Sequence, residues 1–487
     1  MVAETKIHDI VKNLFISTVG NFLGRGSNFF LKIVAAKYLG VELLGIYYLL
    51  RVLVSYYSYL FLGLSYVLTT EIPKFQAKNN TEKIKDIRTN VNLYYLFIIS
   101  ITVISFLIYI TFFFNESSSP FSTINLILIF LTAIFNQITN LLSKHLKSIG
   151  SFTKLFINES FIRFLNPLSS IVLIIFFGLN GYLVSELIFL IINCLNLSYF
   201  SIKNKFDFIV FKNFNLSKLY NYTKTGISLF ISQNGFNISY TLLITFIGIN
   251  YSIEIVGQLA FIITMLNSIA PLFRPYFLAL ERKIYMKKEL SGSDYIDLLN
   301  GSITNMIFFG FMIQAVIILL KYTIPIFFIE FQPAIQFLTI ASLITILRNT
   351  VKINNYFLNA HHLFKFRNSL LVIGAIIFIV LSKFLLLEIS ILEYLIIYLI
   401  INGIIKISLN LYSNVIFKNI YQTIKVILFD FIGIIIIGFI TYIIQITDYN
   451  LANDLILLLA TPLIISIASF KNPKKMLDEN IAFFNND

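Results

Sequence analysis

Residues 13–66 read NLFISTVGNFLGRGSNFFLKIVAAKYLGVELLGIYYLLRVLVSYYSYLFLGLSY, two apolar stretches joined by a short segment that carries Lys37 and Glu42. Each stretch, 13–36 and 43–66, is long enough to cross about 30 Å of hydrocarbon as an α-helix. The quoted segment therefore predicts a transmembrane helical hairpin.

The same pattern recurs along the chain, and it predicts an all-α polytopic membrane protein. The 487 residues are 57% apolar and 13% charged, whereas about a quarter of the residues in a soluble domain are charged. This composition excludes a disordered chain and an ordinary water-soluble enzyme. We predict fourteen spans, at 13–36, 43–66, 91–114, 122–142, 156–177, 181–202, 225–249, 256–279, 298–320, 333–347, 368–387, 391–417, 426–446 and 455–470.

The basic residues predict how the spans are oriented. Of 37 Lys and Arg residues, 28 fall in the N-terminal segment, the even-numbered loops and the tail, and two, Lys37 and Lys321, fall in odd-numbered loops. Cytoplasmic loops are enriched in Lys and Arg. We therefore expect both termini to be cytoplasmic. The net charge of +13 reflects this topology, and the basic residues of the cytoplasmic loops are expected to face anionic membrane lipids. Nucleic acid is not expected as a partner.

A long basic loop divides the chain into similar halves. We predict an N-terminal lobe at 1–202 (helices 1–6), a cytoplasmic linker at 203–224, a C-terminal lobe at 225–417 (helices 7–12), and an additional helix pair with a cytoplasmic tail at 418–487. Gly45 and Gly257 open corresponding spans 212 residues apart. Two such halves predict pseudo-symmetric six-helix lobes.

Charged residues inside spans are costly, and they mark functional sites by default. Span 1 places Asn21, Arg25, Asn28 and Lys32 at i, i+4, i+7 and i+11, which is one helical face. Arg51 and Tyr59 share a face of span 2, and Arg274 lies in span 8. We predict that these residues bind an anionic substrate, since guanidinium groups suit phosphate oxygens. The alternative is that the charges pair inside the helix bundle. The carboxylates Glu186 and Asp430 lie near the starts of spans 6 and 13, where they either face the membrane interface or relay protons.

The segments GNF at 20–22, AAKYLG at 35–40, LGIY at 44–47 and LGLS at 62–65 resemble the first hairpin of polysaccharide-export flippases of the O-antigen and capsule type. These flippases share a superfamily with multidrug extruders and the lipid II flippase. The resemblance implies translocation of an undecaprenyl-pyrophosphate-linked oligosaccharide across a bacterial cytoplasmic membrane, by alternating access and without covalent chemistry. It also implies polysaccharide polymerase and assembly proteins as partners.

Two other classes compete with this prediction. A cation-coupled multidrug extruder of the same superfamily would present carboxylates to its substrate, whereas span 1 presents Arg25 and Lys32. A membrane polymerase or ligase would need a large outer loop, and the predicted outer loops are short, as at Gly178–Gly181. A single cysteine, Cys194, excludes a disulfide framework within the chain. We expect no cofactor; coupling to a proton or sodium gradient stays open.

Overall fold

A computed structural model describes residues 2–113, 121–203, 216–268, 292–360, 364–385, 389–417, 420–447 and 449–468. Within these ranges every regular element is a helix, which confirms the all-helical prediction. The chain divides into two compact units, Met1–Asn234 and Gly235–Asp487, and each is described here by itself. The division falls inside a helix, Leu216–Asn250.

The first unit is built from long helices that follow the predicted spans. They are α1 (Val2–Tyr59), α2 (Leu64–Ala77), α3 (Thr81–Ile108), α4 (Thr123–Ser148), α5 (Phe152–Lys203) and the first part of α6 (Leu216–Asn250). One π-helical turn, Tyr109–Phe113, follows α3. Span 2 was predicted to run to residue 66, but α1 ends at Tyr59 because Leu62 and Gly63 adopt positive φ angles of 47° and 67° before α2 begins.

Two glycines divide the longest helices into hairpins. Gly40 interrupts α1 at φ 69° and ψ −176°, and Gly178 interrupts α5 at φ 56° and ψ −136°. Residues that carry a Cβ rarely adopt such backbone angles, whereas glycine does so readily. The breaks lie where the sequence predicts turns between spans 1 and 2 and between spans 5 and 6. Each long helix therefore consists of two arms, 2–39 and 41–59 in α1, and 152–177 and 179–203 in α5.

The arms of α1 and α5 pack against each other, and α4 packs on both. At Gly24, an added Cβ would lie 2.8 Å from the Cβ of Arg163 and 3.1 Å from its carbonyl oxygen. Glycine thus lets the α1 backbone approach α5 closely. Gly26, in contrast, has no atom within 4 Å of its added Cβ.

The start of α6 is attached to α3 by a polar contact. Lys218 Nζ donates to Asp86 Oδ1 at 2.9 Å, and Tyr222 Oη donates to Asp86 Oδ2 at 3.1 Å. Burial, together with the neighbouring Asp86 carboxylate, raises the pKa of the Tyr222 hydroxyl. Both bonds hold the first turns of α6 in the first unit.

The second unit contains the rest of α6 and seven further helices. These are α7 (Ile253–Asn267), α8 (Gly292–Phe327), α9 (Leu338–Ala360), α10 (Phe364–Leu385), α11 (Ile391–Phe417), α12 (Ile420–Ile446) and α13 (Leu451–Ala468). A 3-10 helix, Ile329–Phe337, connects α8 to α9. α12 packs on α8, α9 and α13, and α13 also packs on α8.

A buried ion pair joins α8 to α13. Lys321 and Asp454 are 1% and 0% exposed, and Lys321 Nζ donates to Asp454 Oδ2 at 2.8 Å. The same ammonium donates to the Ile444 carbonyl oxygen at 2.6 Å and to Thr447 Oγ1 at 3.2 Å. The assignment of Lys321 to an outer loop is therefore wrong, because the residue lies inside α8 and its charge is neutralised within the protein.

The exterior of the described helices is apolar. Phe112, Phe176 and Phe177 are 79%, 74% and 65% exposed, as expected for side chains that face lipid. Counting only described residues, seven segments are long and apolar enough to cross a membrane: Thr81–Phe112, Thr123–Ser148, Lys154–Lys203, Phe309–Phe327, Ile329–Asn349, Lys365–Phe384 and Ile391–Leu409. The chain is a multi-pass membrane protein; the total of fourteen spans and the cytoplasmic termini stay predictions.

Candidate functional site

A polar cluster lies where the two arms of α1 meet the second arm of α5. Lys32 comes from the first arm of α1, Tyr47 and Arg51 from its second arm, and Tyr182 and Glu186 from α5. Gly40 reverses the chain between Lys32 and Arg51, and this places the two basic residues near one another although nineteen positions separate them in sequence.

Glu186 is the acceptor at the centre of the cluster. Tyr47 Oη donates to Glu186 Oε1 at 2.8 Å, and Arg51 Nη1 donates to Glu186 Oε2 at 3.3 Å. The side chain of Glu186 is 15% exposed and that of Arg51 is 39% exposed. Each carboxylate oxygen therefore accepts from a different residue, and more than a third of the Arg51 side chain is exposed.

Lys32 contacts a pair of stacked rings. Tyr47 and Tyr182 stack at a centroid distance of 4.3 Å and an interplanar angle of 14°. Lys32 Nζ donates to Tyr182 Oη at 2.9 Å and lies 5.4–5.9 Å from the ring centroids of Tyr47, Tyr48 and Tyr182. Aromatic faces attract cations at such distances, so the rings hold the ammonium in place.

The five residues carry an excess of positive charge. Lys32 and Arg51 contribute two cations against the carboxylate of Glu186, and both Glu186 and Arg51 act electrostatically on Lys32. Charges interact more strongly in the low dielectric of a protein interior than in water. An anion that contacts Arg51 would therefore bring the cluster closer to neutrality, and this arrangement is suited to binding phosphate or another anionic group.

Hydrogen bonds between the two arms of α5 fix the position of the segment that carries Glu186. Ser185, its sequence neighbour, is fully buried, and its Oγ lies 2.9 Å from the hydroxyls of Ser169 and Ser170. More than two helical turns away, Asn158 Nδ2 donates to Asn193 Oδ1 at 2.6 Å. These contacts fix the register of the two arms, and so they fix the height at which Glu186 meets α1.

Only some of the predicted site residues lie in this cluster in the described part of the structure. Lys32 and Arg51 lie in the cluster. Asn28 is exposed on α1. Tyr59 is half-buried at the end of α1, where its ring centroid lies 5.5 Å from that of Phe230. The side chains of Asn21, Arg25 and Asp430 and the whole of Arg274 lie outside the described residues.

Sequence reasoning missed the roles of Tyr47 and Tyr182, and it placed Glu186 near a span end without a partner. Tyr47 looks like an ordinary interfacial or packing tyrosine, because its partners are more than 130 residues away. The available signal was the rarity of carboxylates in apolar spans, which singles out Glu186. Within the described part of the chain, no three His, Cys, Asp or Glu side chains are grouped as a metal site.

No family model matches the sequence, and neither does any curated protein. In structure, the chain is similar to the lipid II flippase MurJ in an inward-closed conformation, at 14% identity and a TM-score of 0.62, over 93% of this chain and 98% of that one. A structure described as protein A aligns at 14% identity and a TM-score of 0.55, over 85% and 95%.

An outward-facing multidrug resistance MATE family transporter of the MOP superfamily aligns over 97% of this chain and 96% of its own, at 14% identity. Its TM-score of 0.39 is too low to carry an argument. The comparisons thus show that the chain has the fold of the lipid II flippase MurJ, and the function has to be argued from the site.

Proposed function

We propose that the protein is a flippase that translocates undecaprenyl-pyrophosphate-linked oligosaccharide units across a bacterial cytoplasmic membrane by alternating access, for surface polysaccharide biosynthesis. The observation that carries this proposal is the cationic cluster of Lys32 and Arg51 around Glu186. The fold similarity to a lipid II flippase supports the same class of substrate.

The chemistry of the substrate fits the cluster. A pyrophosphate group carries several acceptor oxygens, and a guanidinium presents planar donors that match them. Glu186 engages Arg51 through Nη1, and 39% of the Arg51 side chain is exposed. An anionic headgroup that leaves water for the membrane interior needs such compensation, because an uncompensated charge there is costly.

The other predicted residues extend this proposal. Arg25 and Lys32 would contact the substrate in turn as it moves along α1. Sugar or phosphate groups would be contacted by Asn21, Asn28, Tyr59 and Arg274. We propose that residues 1–202 and 225–417 form the two lobes, that 203–224 link them, and that 418–487 add a helix pair. Polysaccharide polymerase and assembly proteins are the proposed partners.

A deletion strain tests the proposal. Loss of the protein should remove the surface polymer and leave lipid-linked glycan on the cytoplasmic leaflet, where it can be extracted and quantified. Complementation with the wild-type gene should restore the polymer. Normal surface polymer in the deletion strain would contradict the proposal.

The second candidate is a cation-coupled multidrug extruder of the same superfamily. The presence of a carboxylate, Glu186, in the cluster is the observation in its favour, since a cationic drug needs an anionic partner. Arg51 already pairs with that carboxylate and Lys32 belongs to the same cluster, however, and both basic side chains would repel a cationic drug. Sensitivity of the deletion strain to cationic dyes, with normal surface polymer, would favour the extruder.

A further inference from the structure

We propose that Glu186 is an internal counter-anion: it occupies the position on Arg51 and Tyr47 that the substrate phosphate takes, and the substrate must displace it to bind. The inference rests on the proposed function, since it assumes an anionic substrate at this cluster. It assigns to Glu186 a role in specificity, because the ligands that bind are those that compete successfully with a carboxylate.

The first argument is the weakness of the ion pair. Arg51 contacts Glu186 through Nη1 at 3.3 Å, whereas charge-assisted hydrogen bonds of this kind are usually 2.7–2.9 Å long. The same helix offers a comparison, since Arg163 Nη2 lies 2.7 Å from Glu159 Oε2. Arg51 is therefore held by its carboxylate less tightly than Arg163 is.

The second argument comes from a comparison with the structural ion pair of the second unit. Lys321 is almost fully buried, and its ammonium has an acceptor on Asp454, on Thr447 and on the Ile444 backbone. Such a pair has no capacity for a ligand. Arg51 instead has a side chain 39% exposed and a single carboxylate oxygen as its ion-pair partner among the described residues.

The third argument is the geometry of the donors. Tyr47 Oη and Arg51 Nη1 bind the two oxygens of one carboxylate, and two oxygens of one phosphate can accept from the same two groups. Phosphate carries more charge and more acceptor oxygens than a carboxylate, so it can accept from guanidinium donors other than the Nη1 that bonds to Glu186. A pyrophosphate lipid should therefore displace Glu186, and a neutral lipid should not.

The test measures binding of undecaprenyl pyrophosphate to the full-length protein in nanodiscs, with inorganic pyrophosphate as a second probe. Glu186→Gln removes the competing charge and keeps the side-chain shape, so its affinity should exceed the wild-type value by at least about fivefold, the lower end of ordinary coupling between ligands. Glu159→Gln is the matched control, since it neutralises the other arginine-paired carboxylate of α5, and it should bind as the wild type does.

Two further variants locate the effect. Glu186→Asp keeps the charge but shortens the reach to Arg51, so it should show an intermediate gain even if the neutral variant folds poorly. Arg51→Gln combined with Glu186→Gln should show no gain, because the gain requires the released guanidinium. A gain with both probes would show that the site recognises phosphate itself; a gain with the lipid alone would show that it recognises the lipid-attached group.

The outcomes separate this inference from the proposed function. Wild-type binding that both Glu186 variants leave unchanged or weaken would overturn the role of Glu186 and leave the proposed function standing. Absence of binding in every form would overturn the anionic-substrate proposal, and the inference would fall with it.

Discussion

Arg51 and Arg163 are each paired with a glutamate of α5, but the surroundings of the two pairs differ. Arg163 pairs with Glu159 within one helix, four residues apart, a surface arrangement that contributes little to stability. Arg51 crosses from α1 to Glu186 of α5, next to the buried Tyr47 and Tyr182. The partner helix and the buried surroundings, rather than the side chain itself, distinguish the candidate functional arginine.

Substitution of Arg51 tests this distinction. Arg51→Gln should reduce export by roughly tenfold or more, since a hydrogen bond to a charged group contributes about 1.5–3 kcal/mol. Arg51→Lys keeps the charge but loses the planar fork, so it should retain partial export. Surface polymer and membrane abundance are measured together.

Arg163→Gln is the control for this prediction, and it should leave export near the wild-type level. Equal export in Arg51→Gln and Arg163→Gln, at equal abundance, would remove Arg51 from the mechanism. Loss of export in proportion to loss of protein would assign Arg51 a structural role.

At the residue scale, the sequence singles out candidate residues where the signal is local. Lys32 and Arg51 stand out because each interrupts an apolar span. Their partners did not stand out, since Glu186 lies 135 residues from Arg51 and hydropathy carries no information about such contacts. Lys321 was misplaced for the same reason, because a lysine lowers local hydropathy whether it is in a loop or neutralised by Asp454, 133 residues away.

At the scale of elements, the kinked helices α1 and α5 determine where the cluster forms. The Gly178 break lets the second arm of α5 return beside the first, and the serine and asparagine contacts fix its register. The sequence indicated this turn because two glycines lie close together between two apolar stretches. It could not indicate which face of α5 meets α1, because apolar residues cover both faces of the arms.

Gly178→Ala tests the importance of the break. No atom lies within 4 Å of a Cβ added at Gly178, so the cost should come from the backbone alone, at φ 56°, and should amount to about 1–3 kcal/mol. Gly403→Ala is the matched control, since its added Cβ is also uncrowded but the residue lies within α11.

The control should be neutral or stabilising by about 0.5–1 kcal/mol, because alanine favours helices. Thermal unfolding of both variants in detergent provides the measurement. An unfolding temperature of Gly178→Ala at or above that of Gly403→Ala would show that the positive φ angle is not required.

In the second unit, the Lys321–Asp454 pair attaches α13 to α8. Lys321→Met leaves Asp454 buried without its cation and should destabilise the protein by about 3–5 kcal/mol. Adding Asp454→Leu should recover most of this loss, since apolar pairs often replace buried ion pairs without penalty. The unfolding temperature is again the measurement.

Lys74→Met is the control for the buried pair. Lys74 bonds to Glu71 at 2.9 Å, but its side chain is 65% exposed, so the change should cost at most about 1 kcal/mol. If Lys321→Met and Lys74→Met unfold at the same temperature, the buried pair does not hold α13 in place.

At the scale of the whole molecule, the positions of the helices were predictable and their packing was not. Each predicted span falls in or overlaps a helix of the described residues, because a stretch of apolar residues determines the element locally. The partners of each helix depend on side-chain shape and on contacts distant in sequence, as between α1 and α5. The orientation in the membrane is a separate property, which the distribution of Lys and Arg among the loops predicts.

The orientation is tested with single cysteines introduced after Cys194→Ala has removed the native thiol. Lys205 belongs to an even-numbered loop with five basic residues, and Ser118 belongs to an odd-numbered loop without basic residues; both lie outside the described residues. Lys and Arg favour the cytoplasmic side, so a membrane-impermeant maleimide should label Ser118→Cys in intact cells and Lys205→Cys after permeabilisation. The Cys194→Ala background alone should stay unlabelled. Labelling of Lys205→Cys from outside intact cells would reverse the predicted topology, and then the side from which Arg51 first meets its substrate would have to be reversed as well.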